Sequence, residues 1–330
     1  MKTIYCLLFV YFSVSLFPIF AQKEKGRYFI RNFTPKEYQA HTQNWSAVQD
    51  DRGLMYIGNT SGILEYDGKN WRLIYMPNRT TVRTISKGKD GVIYLGSQGD
   101  FGFLKPNAQG LTEFISLTKQ LPAEHRNFKD VWTTHAGNDG VYFMTDYKIY
   151  RLNPDGTFSY FFPTSNAFFL SFYVNGKLYV HESKVGLLVL KNGKFELMKD
   201  GEKFKGMALY TLISRIDGTL VAGAGKGGLF LIDETQPTGQ AVQPWNIPVN
   251  TALQEGILYC GMKIDQKLIF GTLKNGVYVV DEQTGELLTH LHQEVGLQNN
   301  QVWNIGKDNQ GGIWACTNKG LSRIELSTPF

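Results

Sequence analysis

A short pattern recurs seven times along this chain of 330 residues, and it limits the possible folds more than any other feature. Each copy has a polar turn, an apolar run of about five residues, a second polar turn and a second apolar run. The first copy reads DRGLMYIGNTSGILEY. The reference residues of the seven turns are Gly53, Gly91, Gly140, Gly176, Gly218, Gln266 and Gly311. A period of roughly 40 residues predicts an array of similar supersecondary units.

The apolar runs have the composition of buried β-strands. The first runs of the copies are LMYIG, VIYLG, VYFMT, KLYVH, TLVAG, KLIFG and GIWAC. Their third position is aromatic or β-branched, which suits a pleated buried surface, and their fifth position is mostly small. Another strand precedes each reference turn, and a fourth follows most of the second runs. We therefore predict an all-β fold, a seven-bladed β-propeller with four-stranded antiparallel blades.

The blades are predicted to start near residues 44, 81, 129, 166, 208, 256 and 300. The seventh unit has only three strands, whereas an orphan strand, GRYFIRNF, occupies residues 26–33. If this segment pairs as the outer strand of the last blade, the ring closes and no long sheet edge stays unpaired. Residues 22–330 are thus predicted to be one propeller domain closed by its N-terminal strand.

The first 21 residues, MKTIYCLLFVYFSVSLFPIFA, have the pattern of an export signal. One lysine precedes an apolar stretch of signal-peptide length, and the small residue Ala21 ends it. The bulky Ile19, two positions earlier, leaves an uncleaved anchor as the alternative. No later segment reaches the ~18 apolar residues of a membrane-spanning helix, so residues 22–330 are expected in the periplasm or at the extracellular face of the membrane.

Charge and cysteine content argue against two other classes of protein. The formal net charge is +5, and no run of five or more lysines and arginines is present to follow a phosphate backbone. We expect no nucleic acid to bind this region. Cys260 and Cys316 lie in apolar runs, where cysteine behaves as a small buried hydrophobe, and a single disulfide between them is the alternative.

No motif indicates a cofactor, a metal or a catalytic centre. Residues 223–228, GAGKGG, have the letters of a dinucleotide-binding loop, but a strand follows them instead of a helix, so we expect a blade turn. His290 and His292 would face one side of a strand, yet no third metal ligand is evident. We therefore predict that the propeller itself is not an enzyme and needs no cofactor.

One column of residues suggests a binding site. Eight residues before each reference turn, near the start of the innermost strand, stand Trp45, Arg83, Trp132, Phe168, Tyr210, Leu258 and Trp303. Innermost strands line the channel of a propeller, where aromatic faces and polar groups suit a sugar. The alternative is that these bulky side chains only wedge the blades apart. The candidate ligand-binding residues at the channel mouth are Trp45, Arg83, Trp132, Tyr210, Gln301 and Trp303.

Two segments resemble a known family. NNQVWNIGKDNQGGIWACTNKGLSRIEL and NWSAVQDDRGLMYIGNTSGILEYDGKNW are similar to the two-component regulator propeller repeat, with its Asp-x-x-Gly turn, its Trp- or Tyr-containing strand and its Gly-Leu strand. The likeness extends over about residues 26–327 and is weaker in blades three to five. In that family the propellers form the extracytoplasmic sensor of Bacteroidetes-type regulators, typically followed by a second propeller, a triple-tyrosine domain, a membrane helix and a kinase or DNA-binding module.

The resemblance implies that the chain is the sensor part of a larger two-component or transcriptional regulator, or else a free-standing exported propeller. Its implied partners are an extracellular small molecule or oligosaccharide, such as a glycan fragment, and further domains of the receptor or a dimer partner. Two other functions stay open. One is a scaffold that binds protein, and the other is an exported polysaccharide lyase or hydrolase, whose catalytic groups only a structure would bring together.

Overall fold

The computed structural model describes residues 28–326, which form seven four-stranded antiparallel sheets. Each sheet is one blade, and its innermost strand is called the inner strand. Every inner strand contacts that of the next blade, and the inner strand of blade 7 contacts that of blade 1, so the sheets form a closed ring. The prediction of a seven-bladed propeller is confirmed. The predicted signal peptide, residues 1–21, lies outside the described residues.

The strands are numbered in chain order, and each blade begins with its inner strand. The first strands are β1 (Ile30–Phe33); in blade 1, β2 (Asn44–Gln49), β3 (Met55–Asn59), β4 (Gly62–Tyr66) and β5 (Trp71–Ile74); in blade 2, β6 (Val82–Lys87), β7 (Ile93–Ser97), β8 (Phe101–Pro106) and β9 (Thr112–Ser116); in blade 3, β10 (Thr133–Ala136), β11 (Val141–Met144), β12 (Ile149–Leu152) and β13 (Phe158–Phe161).

The remaining blades follow the same order. Their strands are, in blade 4, β14 (Leu170–Val174), β15 (Lys177–Glu182), β16 (Gly186–Lys191) and β17 (Lys194–Leu197); in blade 5, β18 (Thr211–Ser214), β19 (Leu220–Gly223), β20 (Leu229–Ile232) and β21 (Val242–Pro244); in blade 6, β22 (Leu258–Ile264), β23 (Lys267–Thr272), β24 (Val277–Asp281) and β25 (Leu287–Leu291); in blade 7, β26 (Val302–Lys307), β27 (Gly312–Thr317) and β28 (Gly320–Glu325). Short helices occupy loops: α1 (Pro35–Tyr38), α2 (Asn250–Gly256) and the 3-10 turns Thr118–Gln120, Ala123–His125, Gly201–Phe204, Gly225–Gly227 and Gln293–Val295.

Strand β1 completes blade 7, as predicted. It pairs antiparallel with β28, from Ile30 opposite Ile324 to Phe33 opposite Leu321. The predicted segment was residues 26–33, and within the described residues the ladder begins at Ile30. Because the first strand of the chain pairs with the last, both ends of the propeller are held in one sheet.

The acidic turns of the repeat stabilise hairpins. In the turn between β2 and β3, Asp50 Oδ1 accepts hydrogen bonds from the backbone N–H groups of Arg52 and Leu54, both at 2.9 Å. Gly53 in the same turn has φ +90°, a conformation that favours glycine. The aspartate and the glycine of this repeat unit therefore fix the shape of the hairpin turn.

Apolar side chains fill the contact between each pair of neighbouring blades, and the small column of the repeat allows this close packing. A Cβ atom at Gly96 would lie 2.3 Å from Val131 of the next blade, and one at Gly223 would lie 2.3 Å from Leu258. Larger residues at these positions would force the blades apart.

Two further sequence interpretations can be compared with the structure. Cys260 and Cys316 are free thiols buried in the core, so the alternative of a disulfide between them is wrong. Burial raises the pKa of the Cys260 thiol to about 12. The GAGKGG segment links the end of β19 to the start of β20 through the 3-10 turn Gly225–Gly227, which confirms that it is a blade turn.

Candidate functional site

Each inner strand begins with an irregularity that turns one side chain out of the regular ladder. In blades 1, 2, 6 and 7 the register shifts by one residue at this point, and the residue left without a partner is Trp45, Arg83, Tyr259 or Trp303. A β-bulge of this kind bends the strand and re-aims the side chain at the bulge. The same feature of the backbone thus places one large side chain at the start of each of these strands.

Blades 3, 4 and 5 have the equivalent residue immediately before the inner strand. Trp132, Phe169 and Tyr210 each donate their backbone N–H, at 2.8 Å, to the carbonyl group of the residue that pairs with the next residue along the chain. Two residues therefore again oppose one, as in a bulge. The seven equivalent residues, called the mouth ring, are Trp45, Arg83, Trp132, Phe169, Tyr210, Tyr259 and Trp303.

Aromatic members of the mouth ring contact each other from blade to blade. The ring-centroid distances are 5.4 Å for Phe169–Tyr210, 4.7 Å for Tyr210–Tyr259, 5.2 Å for Tyr259–Trp303 and 5.0 Å for Trp303–Trp45. These separations are within the range of favourable aromatic pairs. The side chains therefore form a continuous aromatic arc over five blades.

Arg83 extends this arc across blade 2. Its guanidinium carbon lies 4.5 Å from the centroid of the Trp45 ring and 4.7 Å from that of Trp132. Its Nε donates to Asp130 Oδ1 at 2.6 Å, so the cation is both neutralised and held in place. Cation–π contacts of this kind are strongest where water is partly excluded. Arg83 thus holds two indole rings in fixed positions on either side of it.

The mouth ring opens onto a cavity of about 340 Å³ in the centre of the propeller. Every blade contributes to its wall, and six of the seven ring residues line it, whereas Phe169 packs against Tyr210 instead. Below the ring the wall combines polar residues, such as Thr133, His135 and Asn304, with apolar residues, such as Ile85 and Leu212. An aromatic entrance with hydroxyl and amide groups below it has the composition of a site for a small polar ligand.

The structure brings together five of the six predicted site residues. Trp45, Arg83, Trp132, Tyr210 and Trp303 all line the cavity, whereas Gln301 is not part of its wall. The position of Gln301 therefore does not support the prediction that it belongs to the channel-mouth site. Whether the other five bind a ligand stays a prediction.

The predicted column is wrong in two blades. Phe168 and Leu258 are buried between blades, and the neighbouring residues Phe169 and Tyr259 occupy the mouth ring. In blades 4 and 6 the hairpin turn contains only two residues, with Asn175 and Asp265 at positive φ, whereas the other turns are longer. In these two blades, a count of eight residues back from the reference turn therefore selects the residue just before the one in the mouth ring. The Asn-Gly pair at 175–176, a signal for a two-residue turn, could have revealed the shift in blade 4.

The three tryptophans of the ring differ in hydrogen bonding. Trp45 Nε1 donates to Thr60 Oγ1 at 3.1 Å, and Trp132 Nε1 donates to Asp146 Oδ1 at 2.8 Å. Trp303 Nε1, in contrast, is buried and has no partner among the described residues. Two indoles are therefore fixed by their own blades, while the third retains a donor that the fold does not use.

The ionisable groups of the cavity have pKa values far from neutrality. Burial raises the pKa of Tyr259 to about 12 and also raises that of Tyr210. Burial lowers the pKa of His135 to about 4, and its Nε2 donates to the backbone carbonyl group of Ser171 at 3.0 Å. General acids and bases work best with a pKa near the operating pH, which none of these groups has. These groups therefore keep the same charge near neutral pH.

His135 should make the stability of the propeller depend on pH. Its pKa is about 4 in the folded chain and about 6.5 when unfolded, so below pH 6.5 the unfolded chain binds a proton that the folded chain does not. We expect stability to fall as the pH drops from about 6.5 to 4. Replacing His135 with glutamine should remove about 2 kcal/mol of this pH-dependent loss of stability. This value is smaller than the full pKa shift would give, because the imidazole ring borders the cavity and is partly screened by solvent.

Urea denaturation at pH 7.5 and pH 4.5 would measure this effect. The exposed His41 provides the control, since His41→Gln should leave the difference between the two pH values unchanged. Equal pH dependence in His135→Gln and the parent chain would contradict the assignment of a neutral, buried imidazole.

The histidine pair noted in the sequence lies on blade 6, where His290 contacts residues of its own blade. His290 stacks on Tyr278 with the ring centroids 4.0 Å apart, and its Nε2 donates to the backbone carbonyl group of Asn275. Within residues 28–326 no three His, Cys, Asp or Glu side chains are placed to hold a metal ion. His290 is thus engaged in packing and in a hydrogen bond on the blade.

The last blade matches a family defined by its sequence. The family model described as "Two component regulator propeller" matches residues 296–319, which include β26, β27 and the turn after them. Residues 296–319 are therefore similar to the repeat of that family. The resemblance predicted from the sequence is therefore confirmed. A search of curated proteins gave no match to this chain.

Solved structures of regulator domains share the fold. The chain is 21% identical, over 90% of its length, to the extracellular domain of a B. thetaiotaomicron protein described as a one component system, BT4673, with a TM-score of 0.69. It is 18% identical, over 90% of its length, to that of BT3049, described as a hybrid two component system of the same organism, with a TM-score of 0.67. The matches cover 39% and 42% of those domains, so this chain spans about two fifths of their length.

An enzyme shares the fold as well. Virginiamycin B lyase from Staphylococcus aureus is 11% identical over 91% of this chain and 100% of the lyase, with a TM-score of 0.67. At such identities the likeness shows the fold alone, and one fold supports many functions. Within residues 28–326 the structure has no helix that is long and apolar enough to span a membrane.

Proposed function

We propose that this chain is the extracytoplasmic, ligand-sensing part of a larger two-component or transcriptional regulator. In this proposal it binds an extracellular oligosaccharide without changing the sugar chemically. The observation that carries the proposal is the mouth ring, to which every blade contributes one aromatic or guanidinium side chain. The family repeat in blade 7 and the fold shared with extracellular domains of B. thetaiotaomicron regulators support the signalling role.

The geometry suits a sugar for three reasons. The apolar faces of pyranose rings stack on aromatic side chains, and the part of the arc from Tyr210 to Trp45 lines the cavity with such rings in sequence. The side-chain amide of Asn304, which lines the cavity, can form hydrogen bonds with sugar hydroxyl groups. Arg83 and Asp130 hold the indoles of Trp45 and Trp132 in position before the ligand arrives, which reduces the entropy cost of binding.

The blades have extensive contacts with their neighbours, so the propeller is rigid. Ligand binding is therefore more easily transmitted by a change in the orientation of the propeller than by a change in its shape. A ligand shifts an equilibrium only by its difference in affinity for the two states. The signal would thus be a changed arrangement of the attached domains or of a dimer partner.

Melting of the purified chain, residues 22–330, in the presence of an oligosaccharide panel tests the proposal. A ligand at a hundred times its dissociation constant should stabilise the propeller by ~2.7 kcal/mol, which raises the melting midpoint by several degrees. Trp303→Ala and Trp132→Ala should abolish this shift. Chromatography of the recovered ligand should show it intact, and cleavage would favour the lyase or hydrolase alternative.

Tyr75 provides a matched control for the ring tryptophans. It is an aromatic residue at the end of β5, 51% exposed and outside the mouth ring. Tyr75→Ala should keep the full ligand-induced shift. A flat response to every oligosaccharide, or equal responses of Tyr75→Ala and Trp303→Ala, would contradict binding at the channel mouth.

A further inference from the structure

Five lysines surround the mouth ring in a regular arrangement. The turn between the second and third strands of each of blades 3 to 7 carries one lysine, whereas blades 1 and 2 have none there. These residues, called the lysine rim, are Lys148, Lys184, Lys226, Lys274 and Lys319. Lysine thus recurs at one structural position in five consecutive blades.

The turns that carry the rim lie beside the mouth ring. In blade 3 the turn residue Asp146 accepts a hydrogen bond from Trp132 Nε1 at 2.8 Å. In blade 5 a Cβ atom on Gly225, the neighbour of Lys226, would lie 3.1 Å from the ring of Tyr210. In blade 7 the backbone N–H of Asn318 donates to the carbonyl group of Gln301 at 3.1 Å. The rim and the ring are therefore on the same face of the propeller.

Most of the rim is not neutralised by the protein. Lys184, Lys226, Lys274 and Lys319 are exposed, and none of them forms an ion pair with a described residue. Lys148 is partly buried and donates from Nζ to His125 Nδ1 at 2.9 Å.

Two acidic residues lie in the equivalent turns of blades 2 and 3, and both carboxylates accept a hydrogen bond from their own blade. Asp100 Oδ1 accepts from Ser116 Oγ at 2.7 Å, and Asp146 is bound by Trp132. Four free cations therefore face solvent around the entrance of a cavity whose one arginine, Arg83, is paired with Asp130.

We propose that the ligand of the mouth ring is an anionic oligosaccharide, one that carries carboxylate or sulfate groups. This inference rests on the proposed function. The sugar rings stack on the aromatic side chains, and the anionic groups of the sugars that extend outside the cavity pair with the lysine rim. Each ion pair with an exposed lysine is weak. Several such pairs along one ligand add their binding free energies and increase the rate of association.

Matched pairs of probes isolate the contribution of charge. The purified chain, residues 22–330, is titrated calorimetrically with a galacturonate tetrasaccharide and its methyl ester, and with a chondroitin sulfate tetrasaccharide and its desulfated form. In at least one pair, we expect the more anionic probe to bind at least ten-fold more tightly than its partner, which is the methyl ester or the desulfated form. Its affinity should fall as salt is raised from 20 to 300 mM, because salt screens exposed charges. The pair that responds distinguishes carboxylate from sulfate.

Two quadruple variants test the rim directly. Replacing Lys184, Lys226, Lys274 and Lys319 with glutamine should weaken the anionic ligand at least ten-fold, leave the binding of the neutral counterpart unchanged and preserve the melting midpoint. The control replaces four exposed lysines without ion pairs on the opposite face, which should keep the full affinity: Lys69, Lys89, Lys105 and Lys194.

The outcomes separate this inference from the proposed function. Equal affinities within both probe pairs, or equal losses in the two quadruple variants, overturn the anionic ligand while leaving an oligosaccharide sensor intact. Absence of binding by all four probes overturns the anionic ligand, and a flat melting response to the whole oligosaccharide panel as well overturns both. Equally tight, salt-dependent binding of a short oligonucleotide also overturns the inference, since the rim would then attract anions without selecting a sugar.

Discussion

Replacing Phe33 with alanine is expected to lower the free energy of unfolding by about 3–5 kcal/mol. Phe33 is 1% exposed and stacks on Trp314 with the ring centroids 5.2 Å apart. Its ring also meets the edges of Tyr66 and Trp71, both at 5.3 Å. These partners belong to blades 7 and 1, so this side chain of β1 fills the contact where the two ends of the ring meet. Its removal leaves a cavity at the closure.

Urea denaturation and thermal melting of residues 22–330 would measure the loss. Phe29 precedes the same strand but is 49% exposed, so Phe29→Ala serves as the control and should change stability little. Deletion of residues 26–33 should lower the melting midpoint by many degrees, because it removes the ladder to β28 together with Phe33. An unchanged midpoint after this deletion would contradict closure by the N-terminal strand.

Replacing Glu282 with alanine should cost about 3 kcal/mol of stability. Glu282 is fully buried between blades 5 and 6, and its Oε1 accepts from Lys263 Nζ and from the backbone N–H of Ile216, both at 2.6 Å. Its backbone carbonyl group accepts from Arg215 NH2 at 3.1 Å. Without the carboxylate, the ammonium group of Lys263 and the N–H of Ile216 lose their partner. Removal of one member of a buried pair costs more than the pair contributes.

Two further substitutions identify the cause of this loss. Glu286→Ala removes an exposed acid four residues further along the chain and should change the stability little. Glu282→Gln keeps an acceptor for the Ile216 N–H but not the charge beside Lys263, so we expect an intermediate loss. If chemical denaturation gives the same stability for Glu282→Ala and Glu286→Ala, the buried carboxylate does not join the two blades as we infer.

Much of the architecture could be predicted because its causes are local. Polar turns with glycine, such as that at Gly53, and alternating apolar runs specify hairpins within a few residues of chain. The repeat then determines the number of blades, and the orphan strand before Phe33 supplies the strand that blade 7 lacks. Even the small residues at Gly96 and Gly223 could be assigned to close packing between strands.

The binding site could be predicted only in part, because its position depends on single-residue details. Tyr210 and Trp303 were found by counting from the turns, but the same count selected Phe168 and Leu258, which the fold buries. A two-residue turn instead of a longer one moves the bulge by one position, and a shift of one residue in a strand reverses the direction of a side chain.

The sequence by itself determined the seven blades, their four strands and the closure of the ring by the first strand, since these follow from the repeat and from short-range turn chemistry. Only the tertiary structure decided which side chains meet at the channel. Trp45 and Trp303 come from opposite ends of the chain and contact each other because the ring closes, and Arg83 lies between two indoles because neighbouring blades converge there. Such contacts depend on the meeting of distant segments, which no local pattern records.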